Sequence, residues 1–122
     1  MSKKYKIVFW QDKNGYSEAQ DYIMELKNKS VKSKDARIKL NKIVEYMEML
    51  EAYGTELGEP YIKHIDCEIF ELRPLRDRFF FFFKQENRYV ILNHFVKRTQ
   101  KTPRREIEKA IRLMKDFNER NL

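Results

Sequence analysis

Residues 69–96, IFELRPLRDRFFFFFKQENRYVILNHFV, decide the fold of this chain. Ile69 to Arg73 alternates apolar and charged side chains, as a half-buried strand does. Pro74 ends the run, because proline has no N–H to give to a ladder. Phe79 to Phe83 shows no alternation at all; five phenylalanines in a row read as a central strand covered on both faces. Gln85 to Arg88 is a polar hairpin connection, and Tyr89 to Val96 is a third strand. Three consecutive strands with short links predict an antiparallel meander.

Working outward, Lys6 to Trp10 reads as a short N-terminal strand and Asn14-Gly15 as a turn. Ser17 fits a helix N-cap, with Gln20 three residues on as in a capping box. Ala19, Tyr22, Ile23 and Leu26 follow at helical spacing, and Lys27 to Lys34 is a polar, basic loop. Ser33 fits the cap of a second helix carrying Ala36, Leu40, Ile43, Val44, Met47 and Leu50, which Gly54 ends. Gly58-Glu59-Pro60 is a loop. Thr102-Pro103 opens the last helix, with Thr102 as N-cap; Ile107, Ala110, Ile111, Met114 and Phe117 give it an apolar stripe. The expected order is β-α-α-β-β-β-α, an α+β class with a twisted antiparallel sheet packed on two N-terminal helices. With 122 residues, the chain is expected to form a single domain, 1–122.

The apolar stretch near the N-terminus, Ile7 to Trp10, is too short for a secretory or membrane-spanning segment. The lone Cys67 permits no internal disulfide and fits a reducing compartment. A cytoplasmic location without membrane contact is expected. His64, Asp66 and Cys67 lie close in sequence but match no zinc spacing, so neither a metal nor a cofactor is expected.

The net charge is +7, and its distribution is uneven. Residues 1–62 carry 11 Lys and Arg against 10 Asp and Glu, and residues 106–122 carry 4 against 4. Residues 63–105 carry 11 against 5, so nearly all the excess lies in the strands and the loop before the last helix. That placement favours nucleic acid over a membrane surface, which more often meets a basic amphipathic helix. Lys97 to Arg105 holds five cations and no acid, and it ends at a helix N-terminus. A solvated loop is the plain alternative, but Arg104 and Arg105 break the preference for acids in a first helical turn.

Strand parity places Phe70 and Leu72 toward the helices and Glu71 and Arg73 away from them. Arg78 shares a face with Phe80 and Phe82, and His94, Val96 and Arg98 share one with Leu92. An aligned register brings Arg73, Arg78, His94 and Arg98 together on the sheet face opposite the helices. Arg78 is expected to lie outside the core.

Four strings together resemble the RelE/HigB toxin superfamily: Ile69 to Arg73, Asp77 to Phe81, His94 to Pro103, and Glu106 to Ala110. They look closest to its phage-derived, Gp49-like, HigB-type branch, and the likeness is strongest over residues 65–115. The resemblance implies the toxin of a type II toxin–antitoxin pair, a metal-independent endoribonuclease that cleaves mRNA on the ribosome and stops translation. It implies attack of the ribose 2′-OH on the adjacent phosphate, leaving a 2′,3′-cyclic phosphate and a 5′-OH. It also implies a neutralising, HigA-like antitoxin with a helix-turn-helix, and a heterotetramer if that antitoxin dimerises. By resemblance, Arg78 and Arg98 match the arginines on the scissile phosphate, and Arg73 matches a nearby basic position. Lys97 and Lys101 would hold flanking phosphates or ribosomal RNA, with Arg76, Thr99 and Arg104 as further substrate contacts.

Arginine suits a phosphorane because it is always charged and grips phosphate with two donors. It cannot act as acid or base at neutral pH. His94 is the first candidate for that role, since imidazole titrates near neutrality, and Glu71 is the second. The RelE pattern has lysines where Ile69 and Glu71 stand. Packed or ion-paired roles for His94 and Glu71 stay open. So do two other functions: a non-catalytic basic RNA-binding or regulatory module, and a ParE-like inhibitor of gyrase.

Overall fold

A computed structural model describes residues 2–122 of the chain. The elements are β1 (Lys6–Phe9), α1 (Glu18–Lys29), α2 (Lys34–Tyr53), a 3-10 turn (Gly54–Leu57), β2 (Ile62–Asp66), β3 (Ile69–Leu72), β4 (Asp77–Lys84), β5 (Arg88–Val96) and α3 (Arg104–Glu119). The five strands form one mixed sheet in the order β1-β5-β4-β3-β2. The α+β class and the element order are those expected from the sequence, with two refinements. β1 pairs parallel to β5, Lys6 opposite Arg88 and Phe9 opposite Ile91. An additional edge strand, β2, pairs antiparallel with β3. A register shift between His64 and Asp66 breaks the alternation that would have revealed β2.

The phenylalanine run explains the layering. Phe79 and Phe81 join a core with Leu26, Ile43, Leu50 and Leu72 under α1 and α2. Phe80 and Phe82 join Ile107, Met114 and Phe117 under α3. Four consecutive phenylalanines, Phe79 to Phe82, are thus buried alternately on both faces, as expected of the central strand, but Phe83, expected to be covered with them, is 45% exposed. Helix α3 therefore covers the face that parity had assigned as opposite the helices.

The caps follow the sequence in part. Ser17 Oγ and Ser33 Oγ accept from the N–H of Gln20 and Ala36 at 3.1 Å. The Gln20 side chain accepts from Gln11 and closes no capping box. The inter-helix loop is shorter than expected, because α1 continues to Lys29. At α3 the N-cap is Pro103, with no side-chain cap, since the Thr102 hydroxyl is engaged elsewhere.

Gly54 ends α2 at φ +62°, where a Cβ would stand 2.6 Å from Tyr89 Oη and 2.8 Å from Tyr5 Cε2. Both the left-handed backbone and the close rings exclude a side chain. Gly54→Ala is expected to destabilise the fold by about 2–4 kcal/mol in urea unfolding; a change under 1 kcal/mol would show that the rings yield freely.

Candidate active site

The basic residues singled out in the sequence fall into three groups. The first is a buried cluster on the α3 face of the sheet. Glu71 lies opposite Phe80, and Arg78 lies opposite Phe95. Glu71 Oε1 faces Arg73 Nε at 3.4 Å and Arg78 Nε at 3.8 Å. Neither Nε makes a hydrogen bond, so the attraction is Coulombic. Glu71 Oε2 accepts from the Thr102 hydroxyl at 3.3 Å, which ties the loop before α3 to the sheet. Arg78 is 7% exposed, contrary to the expectation that it lies outside the core. It donates through Nη1 to the carbonyls of Leu75 and Asp77 at 2.8 and 2.9 Å. Leu75 holds φ +58° to aim its carbonyl there. Burial raises the Glu71 carboxyl above its usual range, against the pull of Arg78 and Arg73. Burial likewise lowers the Arg78 guanidinium, against the pull of Glu71.

The second group is an open cleft of about 370 Å³ between the start of β4 and the loop after β5. Its walls are Arg76, Arg78, Lys97, Arg98, Thr99 and Gln100. Four cations and no acid line it, which suits a polyanion. Two bonds tie the walls together: Lys97 N–H donates to Arg76 O at 2.8 Å, and the Arg76 guanidinium donates to Lys97 O at 3.0 Å. Thr99 Oγ1 donates to Lys101 O and shapes the loop. Arg98 makes no hydrogen bond or ion pair among the described residues, so its guanidinium is free to take a ligand.

The third group stands apart. His94 was expected beside Arg73 and Arg78, on the face shared with Leu92. It lies instead on the α1/α2 face, opposite Phe79. The cause is a bulge in β5: Phe80 pairs with Asn93, but Phe81 pairs with Ile91, so Leu92 is an extra residue. One extra residue inverts every later side chain. His94 stacks on Tyr22 with ring centroids 3.7 Å apart and shares Asp77 with it. His94 Nε2 is 2.9 Å from Asp77 Oδ1, and Tyr22 Oη donates to that oxygen at 2.7 Å. The His94 side chain is only 7% exposed. It meets Arg98 only across a second cavity of about 640 Å³. Arg104 is drawn outward to Asp66 and Glu108, and Lys101, also exposed, lines neither cavity. Tyr22, Asp77 and Thr102 were not singled out as site residues, because their partners are distant in sequence and carry no motif.

The Tyr22 phenol is pushed well above its usual value, first by burial and then by the Asp77 hydrogen bond. The folded state therefore holds this proton more tightly than the unfolded one. That stabilisation is complete below about pH 10 and is lost as the pH rises beyond it. Tyr22→Phe is expected to flatten the alkaline limb of stability against pH, followed by circular dichroism. An unaltered limb would place the alkaline titration elsewhere.

Among the described residues, no cluster of three or more His, Cys, Asp or Glu side chains is placed to hold a metal ion. No helix among them is long and apolar enough to cross a membrane.

The fold is thus a five-stranded sheet between helical layers, with a basic cleft at one end. The model of one family, phage derived protein Gp49-like (DUF891), matches residues 21–115. The chain belongs to this family, and with it to the RelE/HigB-like toxins of toxin–antitoxin systems. Membership implies a cognate antitoxin. A search of curated proteins gives no match.

Proposed function

We propose that this toxin is a cytoplasmic mRNA endoribonuclease that cuts messages on the ribosome. The observation that carries the reading is the acid-free cleft in which buried Arg78 and unpaired Arg98 share walls with Arg76 and Lys97. A phosphate seated there meets the anchored Arg76 and Arg78 and the free guanidinium of Arg98. When the 2′-OH attacks it, the phosphorane gains charge that these cations stabilise more than the ground state. Arg78 is preorganised by two carbonyls and by Glu71, so little reorganisation accompanies the reaction. Arg73 sits behind Glu71 and tunes the cluster. Glu71 is the carboxyl facing Arg78 behind the cleft wall, and its raised value favours a role in holding or passing a proton. His94 acts as a positioning residue: through Asp77 it fixes the first residue of β4, next to Arg78. Lys97, Thr99 and Lys101 hold flanking RNA, and Arg104 holds it at the rim.

The test is to add the purified protein and Arg98→Ala to a defined mRNA, with and without programmed ribosomes, and map the new ends. Cuts that require ribosomes, end in 2′,3′-cyclic phosphate and vanish in Arg98→Ala are expected. RNA that stays intact while ribosome binding persists would make the chain a binding module. Inhibition of supercoiling without RNA cuts would make it a gyrase inhibitor.

A further inference from the structure

Residues 97–103 join β5 to α3 with no strand or helix of their own, yet they carry Arg98, which lines both cavities. No ladder therefore sets the place of this guanidinium. Two anchors flank the segment. Lys97 is fastened to Arg76 on one side. On the other, Asn93 Nδ2 donates to the Glu106 carbonyl at 3.4 Å and to Glu106 Oε1 at 3.2 Å, which holds the first turn of α3. Between them, residues 98–102 make one hydrogen bond to the sheet among the described residues, from the Thr102 hydroxyl to Glu71 Oε2. The Thr99 hydroxyl donates within the segment, to Lys101 O at 2.8 Å, and stiffens the stretch between Arg98 and Thr102.

Glu71 is a fixed point for that bond. It lies in β3 opposite Phe80 and is 1% exposed. Its other oxygen, Oε1, faces Arg78 Nε at 3.8 Å. One carboxylate thus meets both elements that bring Arg78 and Arg98 to the cleft: β4 through Arg78 itself, and the segment after β5 through Thr102. Capping, the usual work of a threonine before a helix, is not its role, because Pro103 is the N-cap and no side chain caps α3. Nor does Thr102 line either cavity, so contact with RNA does not explain the bond.

We infer that Thr102 is a positioning residue: it hangs the segment of Arg98 from the carboxylate that also faces Arg78, and so sets the spacing of the two guanidinium groups across the cleft. The inference rests on the nuclease reading of the cleft. Arg98 is exposed and has no bond of its own, so its place depends on how firmly the backbone beneath it is held. Valine has nearly the shape of threonine without the hydroxyl, and serine keeps the hydroxyl. Loss of the bond frees the segment between its two anchors, and a misplacement of about 1 Å in a positioned group costs on the order of 10²-fold in rate.

The test compares Thr102→Val and Thr102→Ser, each alone and combined with Arg98→Ala, in ribosome-dependent cutting of a defined mRNA. Urea unfolding fixes a temperature at which every variant is folded. Thr102→Val is expected to lower kcat by about 10–100-fold with KM little changed, and Thr102→Ser to restore most of the rate. In the Arg98→Ala background Thr102→Val is expected to cost less than about twofold, because the group that it positions is gone. Full activity in Thr102→Val, equal loss in Thr102→Ser, or the same cost in both backgrounds overturns the inference. A second readout needs no catalysis: the NMR order parameters of the Arg98 and Thr99 amides are expected to fall in Thr102→Val and to hold in Thr102→Ser. Unchanged values in Thr102→Val overturn the inference whether or not RNA is cut. Wild-type protein that cuts no RNA, with order parameters that respond as expected, overturns only the nuclease reading.

Discussion

Arg98→Ala is expected to lower RNA cleavage by about 10²–10³-fold, the usual cost of removing one donor from a developing oxyanion. The folded state should scarcely notice. Arg98 is exposed and has no partner among the described residues, so its loss should stay within about 0.5 kcal/mol in stability. Growth arrest, ribosome-dependent cutting and urea unfolding measured on the same variant separate the two effects. Full toxicity in Arg98→Ala would remove this residue from the site, and with it the phosphate position in the cleft.

Arg78→Ala should behave differently, because the side chain is buried against Glu71. Removing it leaves a carboxylate in the sheet with only Arg73 and Thr102 for company. An uncompensated buried charge of this kind costs about 3–5 kcal/mol. Lost toxicity in Arg78→Ala alone thus mixes chemistry with folding. The double variant Arg78→Leu with Glu71→Leu removes both charges, and should recover most of the stability while remaining unable to cut RNA. The carboxyl also gives this cluster a pH signature. Its folded-state value is raised, so the stabilisation it allows is complete below the ordinary glutamate range and is lost as the pH rises through the raised value. Wild-type stability is expected to fall as the pH rises above the ordinary glutamate range, and Glu71→Gln should flatten the slope. A parallel pair of pH profiles would show that Glu71 does not titrate there.

The strands that carry the site were legible because their chemistry is local. Five phenylalanines announce a doubly covered strand whatever surrounds them, and the helix periods of α1 and α3 stand clear of their loops. Arg76, Lys97, Arg98 and Thr99 stand out in sequence by the cation-rich stretch around them and by the family resemblance, and the structure brings them to one cleft. What the sequence hid depends on one inserted residue or one distant partner. Leu92 reads as an ordinary strand residue, yet the bulge there turns His94 to the other face, onto Tyr22 and Asp77. Arg78 looked exposed because α3, which buries its face, lies beyond the strands in sequence. Thr102 was read as a cap because that is what threonine before proline usually does; its hydroxyl instead reaches a glutamate on β3.

The pairing of Lys6 with Arg88 also sets a timetable. At a synthesis rate of about 5–20 residues per second, β1 waits on the order of ten seconds for the strand it will lie beside. Until then the phenylalanine strand lacks a neighbour on one side, and Arg98 does not yet exist. Under the proposed function, a nuclease acting on messages under translation would thereby be harmless to the message from which it is being read. Its sheet closes and its cleft acquires its last cation only when the reading of that message is nearly over.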